Sequence, residues 1–327
     1  MEGPGHSAAR RSVILDCDPG HDDALAILLA ARHFDVLGVT AVAGNVDVER
    51  TTLNARRIVD LTRLPIPVAR GCARPLAGEP RHAPEIHGQS GLDGYEFPPP
   101  RARLDGRHAV EFLIDTARAH DGVTLIATGP LTNIAEALRR APDLIQRIRE
   151  ISVMGGSVTL GNVTPVAEFN IWFDPEAADA VFRSGIPLWM CGLNLTRQAT
   201  VDAPMIEGLA ALGTRTGETI AALLRFYLEG VRRSTGAAVA PLHDPCAVAI
   251  LLEPALISWV PMHVVVEREG EYTRGMTVCD ARHVPAFNPT AAIGGSPRGL
   301  PPNVRVAEAL DVPGFARLLN DALAAFP

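Results

Sequence analysis

The sequence predicts an α/β fold: a doubly wound, mostly parallel sheet flanked by helices. Short apolar runs alternate with helical patterns along most of the chain. Alternation of this kind implies βαβ units on a parallel sheet with helices on both faces. Polar and acidic residues gather just past the ends of several predicted strands, where ligands bind in open parallel sheets.

The elements follow in order. "SVILD" (12–16) reads as a buried strand and "DDALAILLAARH" (22–33) as a helix. "VLGVTAVAG" (36–44) is a strand and "DVERTTLNARRIVDLT" (47–62) a helix. "GVTLIATG" (122–129) and "LTNIAEALRRAP" (131–142) repeat the pair. "EISVMGG" (150–156) and "IPLWMCG" (186–192) are further strands, with the helix "DPEAADAVFRSG" (174–185) between them. Residues 71–106 are rich in Pro, Gly and His and read as one long functional loop. Residues 203–235 read as mostly helical and 243–254 as a short helix. Strands are expected at 260–267, 272–279 and 303–309, and a closing helix at 314–325.

Composition narrows the function. The chain has 327 residues, of which 47% are hydrophobic, enough for a large core. The net charge is −7 and no dense basic run is present, so nucleic acid is not an expected partner. The five cysteines are scattered without a CxxC pair, which disfavours a disulfide scaffold or thiolate zinc site and fits a reducing cytoplasm. No run resembles a membrane span. Residues 1–11 are polar and read as a disordered tail, neither export signal nor anchor, leaving 12–327 as a single domain.

"VILDCDPGHDDALAILLA" (13–30) carries Asp16, Asp18, Asp22 and Asp23 in an otherwise apolar stretch. Burying like charges this close costs several kcal/mol unless something compensates. A helix start offsets part of this for Asp22 and Asp23. A hard cation completes the account, because calcium takes six to eight oxygen ligands, whereas zinc prefers Cys and His. An EF-hand is excluded, since Ile27 stands where its bidentate Glu belongs. "DCDPG" loosely matches the DxDx[T/V] strand end of aspartyl-phosphate enzymes, but Pro replaces Thr/Val and the second Asp pair is foreign to that pattern. Other polar groups fall at strand ends: Asn45, Thr128, Asn162, Glu168, Asn170, and His243 with Asp244. Each alone fits a cap or turn. Together they suit a polyhydroxylated ligand beside a metal.

These blocks resemble the inosine–uridine nucleoside hydrolases. "ILDCDPGHDDALAILLA", "GN" (44–45), "HGQSG" (87–91), "TGPLTNIA" (128–135), "MGG…GNVTPVAEFNIWFDPEAA" (154–178) and "LHDPCAVA" (242–249) match in order, over roughly residues 12 to 280. The resemblance implies a Rossmann-like nucleoside hydrolase fold and Ca²⁺-dependent cleavage of the N-glycosidic bond of ribonucleosides. By that resemblance Asp18, Asp23, the Thr128 main-chain carbonyl and Asp244 hold Ca²⁺, which also holds the ribose diol and the attacking water. Asp18 is the base for that water and Asn45 orients it. Asp22 and Asn170 bond the diol, Asn162 and Glu168 the 5′-hydroxyl, and Met154 packs under the sugar. Asp16 holds the loop. His87, Tyr227 and His243 lie near the nucleobase, and His243 is the candidate proton donor to it. The family also implies a homodimer or homotetramer.

The base pocket departs from purine-cleaving patterns. A second Tyr, found in some purine-accepting relatives four residues past "FY", is Val231 here, and Trp172, Trp189 and Trp259 read as strand or core residues. "APLHDPC" and "TPVAEFN" are closer to the pyrimidine-cleaving branch. The segment around 283–303 is longer than usual and has no assigned role. The competing reading is a non-catalytic nucleoside- or ribose-binding protein on the same scaffold. Its mark would be loss of Asp18 or of a metal ligand, and none is lost.

Overall fold

A computed structural model describes residues 10–282, 284 and 300–327. The tail before Arg10 and most of the 283–303 segment lie outside the described residues. Arg11, counted with the tail by sequence, is tied to the body: its carbonyl accepts from Asp35 N at 3.0 Å, and its guanidinium pairs with Glu150 at 3.0 Å.

The strands are β1 (Ser12–Cys17), β2 (Asp35–Ala41), β3 (Val68–Arg70), β4 (Val123–Ala127), β5 (Ile148–Met154), β6 (Leu188–Cys191), β7 (Thr200–Val201), β8 (Ala240–Pro241), β9 (Ile257–Met262), β10 (Val264–Val266), β11 (Thr277–Cys279) and β12 (Val304–Leu310). The helices are α1 (His21–His33), α2 (Val48–Thr62), α3 (Pro84–His87), α4 (Ala109–Ala119), α5 (Thr132–Arg140), α6 (Phe169–Phe173), α7 (Pro175–Phe182), α8 (Leu193–Thr196), α9 (Ala203–Ala210), α10 (Arg215–Thr235), α11 (Pro245–Leu252) and α12 (Val312–Ala324).

Eight strands form one sheet in the order β3-β2-β1-β4-β5-β6-β12-β9. All neighbours are parallel except β12 and β9. The order runs outward in both directions from the β1–β4 pair, so the sheet reverses there and a crevice opens beyond the two carboxyl ends. Alternation across the sheet explains the continuous apolar runs. Val13, Leu15 and Cys17 face one core, with α1, α2, α10, α11 and α12, while Ile14 faces the other, with α4, α5 and α7.

Local chemistry sets the helix starts. Asp47 caps α2 by accepting from Arg50 N, and Asp174 caps α7 by accepting from Ala177 N. Thr214 caps α10, which ends at Gly236 in the left-handed region.

Several predicted bounds change. The 260–267 strand divides at His263: β9 joins the main sheet, whereas β10 pairs with β11 in a separate antiparallel ribbon. The expected strand at 272–279 shrinks to β11. The 203–235 stretch is two helices, because Gly213 at φ 66 and the Thr214 cap break it. The 71–106 loop carries the short α3. Trp259 is a strand residue as expected, on β9 at the sheet edge and 41% exposed, whereas Trp172 lies on helix α6, half-buried beneath the Arg81 guanidinium at 5.5 Å. Among the described residues no helix is long and apolar enough to cross a membrane.

Candidate active site

The site is built where the β1 and β4 ends lie side by side. Asp18 follows β1 and Thr128 follows β4. Pro19 and Gly20 turn the chain into α1, which begins with His21, Asp22 and Asp23. Gly20 has no room for a side chain: a Cβ there would stand 2.6 Å from His87 Nδ1. The turn can therefore press against the 71–106 loop.

The aspartates have different holders. Asp18 Oδ2 accepts from Asn45 N at 2.7 Å, and Asn45 Nδ2 donates back to the Asp18 carbonyl at 3.0 Å. Asp23 accepts from Thr128 Oγ1 at 2.7 Å and from Gly20 N at 2.8 Å. Asp22 accepts from His243 N at 3.1 Å. Asp244 opens α11 without making a side-chain cap. Carboxylate oxygens of Asp22, Asp23 and Asp244 lie within 4.8 Å of one another, and all three residues are buried.

No Lys or Arg among the described residues pairs with these groups. Burial, with the neighbouring aspartate charges, pushes Asp18 and Asp244 well above the carboxylate range and Asp23 up to about 7. Crowded buried oxygens without a positive partner fit a hard divalent cation, and the absence of thiol or imidazole from the cluster fits calcium or magnesium better than zinc.

Asp16 stands apart. Its Oδ1 accepts from Thr40 Oγ1 at 2.6 Å and Asn133 Nδ2 at 2.8 Å, and its buried Oδ2 has no partner among the described residues. Burial raises this carboxyl to about 7. Its carbonyl accepts from Thr128 N at 2.9 Å, which ties the two strand ends together.

The opposite wall comes from β5 and α6. Asn170 Nδ2 donates to the carbonyls of Thr128 at 2.8 Å and Met154 at 3.0 Å. Glu168 caps α6 and accepts from the N–H groups of Gly156, Asn170 and Ile171 at 2.9, 3.0 and 3.2 Å. Burial still raises its carboxyl to about 7. Asn162 is exposed on the adjoining loop and accepts from Phe169 N at 3.0 Å. The far end holds His87, Tyr227 and His243. Tyr227 Oη donates to the Pro241 carbonyl at 3.0 Å, and His243 Nδ1 lies 2.7 Å from Thr196 Oγ1. Burial holds His243 below the usual histidine range.

Every sequence-predicted site residue except Asp23 lines one cavity of about 600 Å³. Asp23 is buried behind Asp22, against Thr128. The cavity has carboxylates and amides at one end and rings with small apolar groups at the other, which suits a sugar joined to a planar base.

The description "Inosine-uridine preferring nucleoside hydrolase" matches residues 13–317. The chain belongs to this family. It is therefore a ribonucleoside N-glycosyl hydrolase. It is 44% identical over 321 residues to the pyrimidine-specific ribonucleoside hydrolase RihA of Shewanella sp. (strain ANA-3), covering 97% of each chain. RihA of Escherichia coli O139:H28 is 43% identical over 316 residues, covering 95% of this chain and 97% of the other. Among solved structures, the purine-preferring ribonucleoside hydrolase from Gardnerella vaginalis superposes with a TM-score of 0.86 at 32% identity, covering 96% of this chain and 98% of that one. The plant nucleoside hydrolase PpNRh1 gives 0.86 at 32%, covering 97% and 99%.

Sequence reasoning missed several residues that shape the nucleoside hydrolase site. Thr40 and Asn133 hold Asp16, Thr196 orients His243, and Arg197 donates to the carbonyls of Leu160 and Gly161 at 3.4 and 2.7 Å beside Asn162. His21 packs against His87. Only His21 carried a local signal, as an imidazole inside the aspartate run.

Proposed function

We propose that the protein hydrolyses pyrimidine ribonucleosides to free base and ribose, with Ca²⁺ held by Asp18, Asp23, Asp244 and the Thr128 carbonyl. The observation that carries this is the convergence of buried carboxylates at the β1–β4 switch point, facing a cavity with two histidines at its far end. The oxygens that converge within 4.8 Å are those of Asp22, Asp23 and Asp244, so Asp22 would serve both the cation and the ribose diol. A bound Ca²⁺ offsets the aspartate charges and makes adjacent water more acidic.

The chain's own groups then divide the work. Asp18 takes a proton from the attacking water, and its bond to Asn45 N fixes the direction of its carboxylate. Asn45 orients the water. Asn170 joins Asp22 on the diol, while Glu168 and Asn162 hold the 5′-hydroxyl. Met154 packs beneath the ring. As the glycosidic bond breaks, positive charge grows on the sugar, and the surrounding carboxylates stabilise it. In its protonated form His243 donates Nδ1–H to the Thr196 hydroxyl and gives its Nε2 proton to the departing base, which leaves a neutral imidazole.

The pyrimidine preference rests on the RihA relatives and on Val231, which lines the base end. Ribose release from uridine, cytidine, inosine, adenosine and guanosine tests the reading. Uridine and cytidine should lead, and a purine in first place would contradict it. A homodimer or homotetramer completes the proposal and is checked by light scattering.

A further inference from the structure

A second cavity lies at the far end of α10 from the aspartates. That helix lines the active-site cavity with Ser234 and Thr235 and the second one with Arg215 and Thr216, so most of its 21 residues, ~30 Å of helix, lie between the two. No residue lines both. The second cavity has a volume of about 1240 Å³. This exceeds the ~300–1,000 Å³ of an ordinary small-ligand pocket and leaves room for a ligand of nucleotide size with water.

Its lining is basic, in a chain of net charge −7. Arg57 belongs to α2 and Arg63 follows its end, Arg101 and Arg103 come from the 71–106 loop, and Arg215 opens α10. Arg103 pairs with Asp105 at 3.4 Å, whereas the other four have no carboxylate partner among the described residues. Asp60 is the one acidic side chain on the lining, and its two oxygens already accept from Arg101 N and Ala102 N, at 2.6 Å each. Pro327 closes one side, its carbonyl accepting from Thr216 N at 3.1 Å and Thr216 Oγ1 at 3.0 Å, and no arginine pairs with it. A cleft lined by one sign of charge concentrates ions of the other.

Two of these arginines are held in place at a cost. Arg57 is half-buried, with Nη1 donating to Asn54 Oδ1 at 3.2 Å and the guanidinium 5.5 Å from the Phe97 ring centroid. Its Nη2 has no partner among the described residues, so an oriented fork keeps a donor free. Arg63 is the one non-glycine residue with positive φ among the described residues, at 56°. Glycine is favoured at a helix end of this shape, and an arginine there strains the backbone for the sake of its side chain.

Guanidinium forks match phosphate oxygens in pairs. Beside them Ile66, Phe97 and Pro98 form an apolar wall that suits a flat organic group. We infer that this groove is a second ligand site, which takes a nucleoside di- or triphosphate with its phosphates on the arginines and its base against the apolar wall. The inference does not depend on the reaction proposed for the other cavity.

Equilibrium dialysis of the full chain against labelled ATP, in a fixed excess of Ca²⁺, tests it. The expected result is one ATP per chain, displaced by ADP, displaced more weakly by inorganic triphosphate, and not displaced by ribose, which would fill the other cavity. Arg63→Gly suits the left-handed backbone, and Arg215→Ser changes an exposed first-turn residue, so the double variant should fold. It should bind ATP roughly tenfold or more weakly, with kcat/KM for uridine unchanged. Undiminished ATP binding by the double variant, or displacement by ribose, would place the nucleotide elsewhere and overturn the inference. Equal affinity for triphosphate and ATP would overturn the assignment to a nucleotide. No bound ATP overturns it outright, and a fall in the mass of the double variant by light scattering would then give the groove to a second copy of the chain.

Discussion

Gly44 lies directly against the carboxylate of Asp18, and a Cβ built on Gly44 would overlap Asp18 Oδ2. The same oxygen accepts from the next residue, Asn45 N, at 2.7 Å. The end of β2 therefore holds the proposed base in place by contact as much as by hydrogen bonding. Gly44→Ala should move the Asp18 carboxylate and lower kcat by ~10²-fold, the scale expected for an ångström of misplacement. Steady-state kinetics beside a thermal melt checks this, because the melt should change far less than kcat.

Thr196→Val removes the hydroxyl that lies 2.7 Å from His243 Nδ1. The Nδ1–H of protonated His243 then loses its acceptor, and transfer from Nε2 to the departing base weakens. We expect kcat for uridine to fall roughly tenfold with KM little changed, within the usual range for general-acid effects. Cleavage of 4-nitrophenyl riboside, whose phenolate leaves unaided, should be almost unaffected. Equal losses on both substrates would count against His243 as donor.

Arg197 clamps the 160–161 backbone and so sets the loop that presents Asn162. Arg197→Ala should raise KM for ribonucleosides by roughly fivefold through lost loop order, with a small change in kcat. A 5′-deoxynucleoside should show no such rise, since it has no 5′-hydroxyl to lose.

Cation binding should depend on pH with a definite sign. Burial raises Asp16, Asp23 and Glu168 to about 7 in the metal-free fold. The folded state keeps protons that the unfolded chain releases, so the stability these groups contribute at low pH is lost as pH rises toward 7. His21 and His87, held down to about 4 by burial, act oppositely over the same window, their stability being lost as pH falls from about 6.5 to 4. The difference made by Ca²⁺ isolates the aspartates. Calorimetry should find almost no Tm gain from Ca²⁺ at pH ~4 and a gain of roughly 5 °C at pH ~7 with Ca²⁺ at 100 Kd.

The fold was legible because strands covered on both faces are mostly apolar, and β1 and β4 are, with Asp16 and Thr124 among their few polar residues. The β9–β10 break was not legible: His263 interrupts nothing in the apolar pattern, and only pairing with β12 or β11 separates the two strands. At the site, the ribose end could be read from carboxylates and amides at strand ends. The base end could not. His21 is 66 and 72 positions from His87 and Asp93, and the loop that carries those two has no period. Thr196 carries no signal in the sequence and is marked only by its 2.7 Å approach to His243 Nδ1.

The central claim is that the buried aspartates hold a cation without which the glycosidic bond is not cleaved. Its most direct test strips the protein with EDTA, then titrates Ca²⁺ while following both binding heat and ribose release from uridine. The account predicts one Ca²⁺ per chain, activity returning in step with occupancy, and loss of both in Asp244→Ala. Undiminished ribose release from protein shown to be free of metal would contradict it.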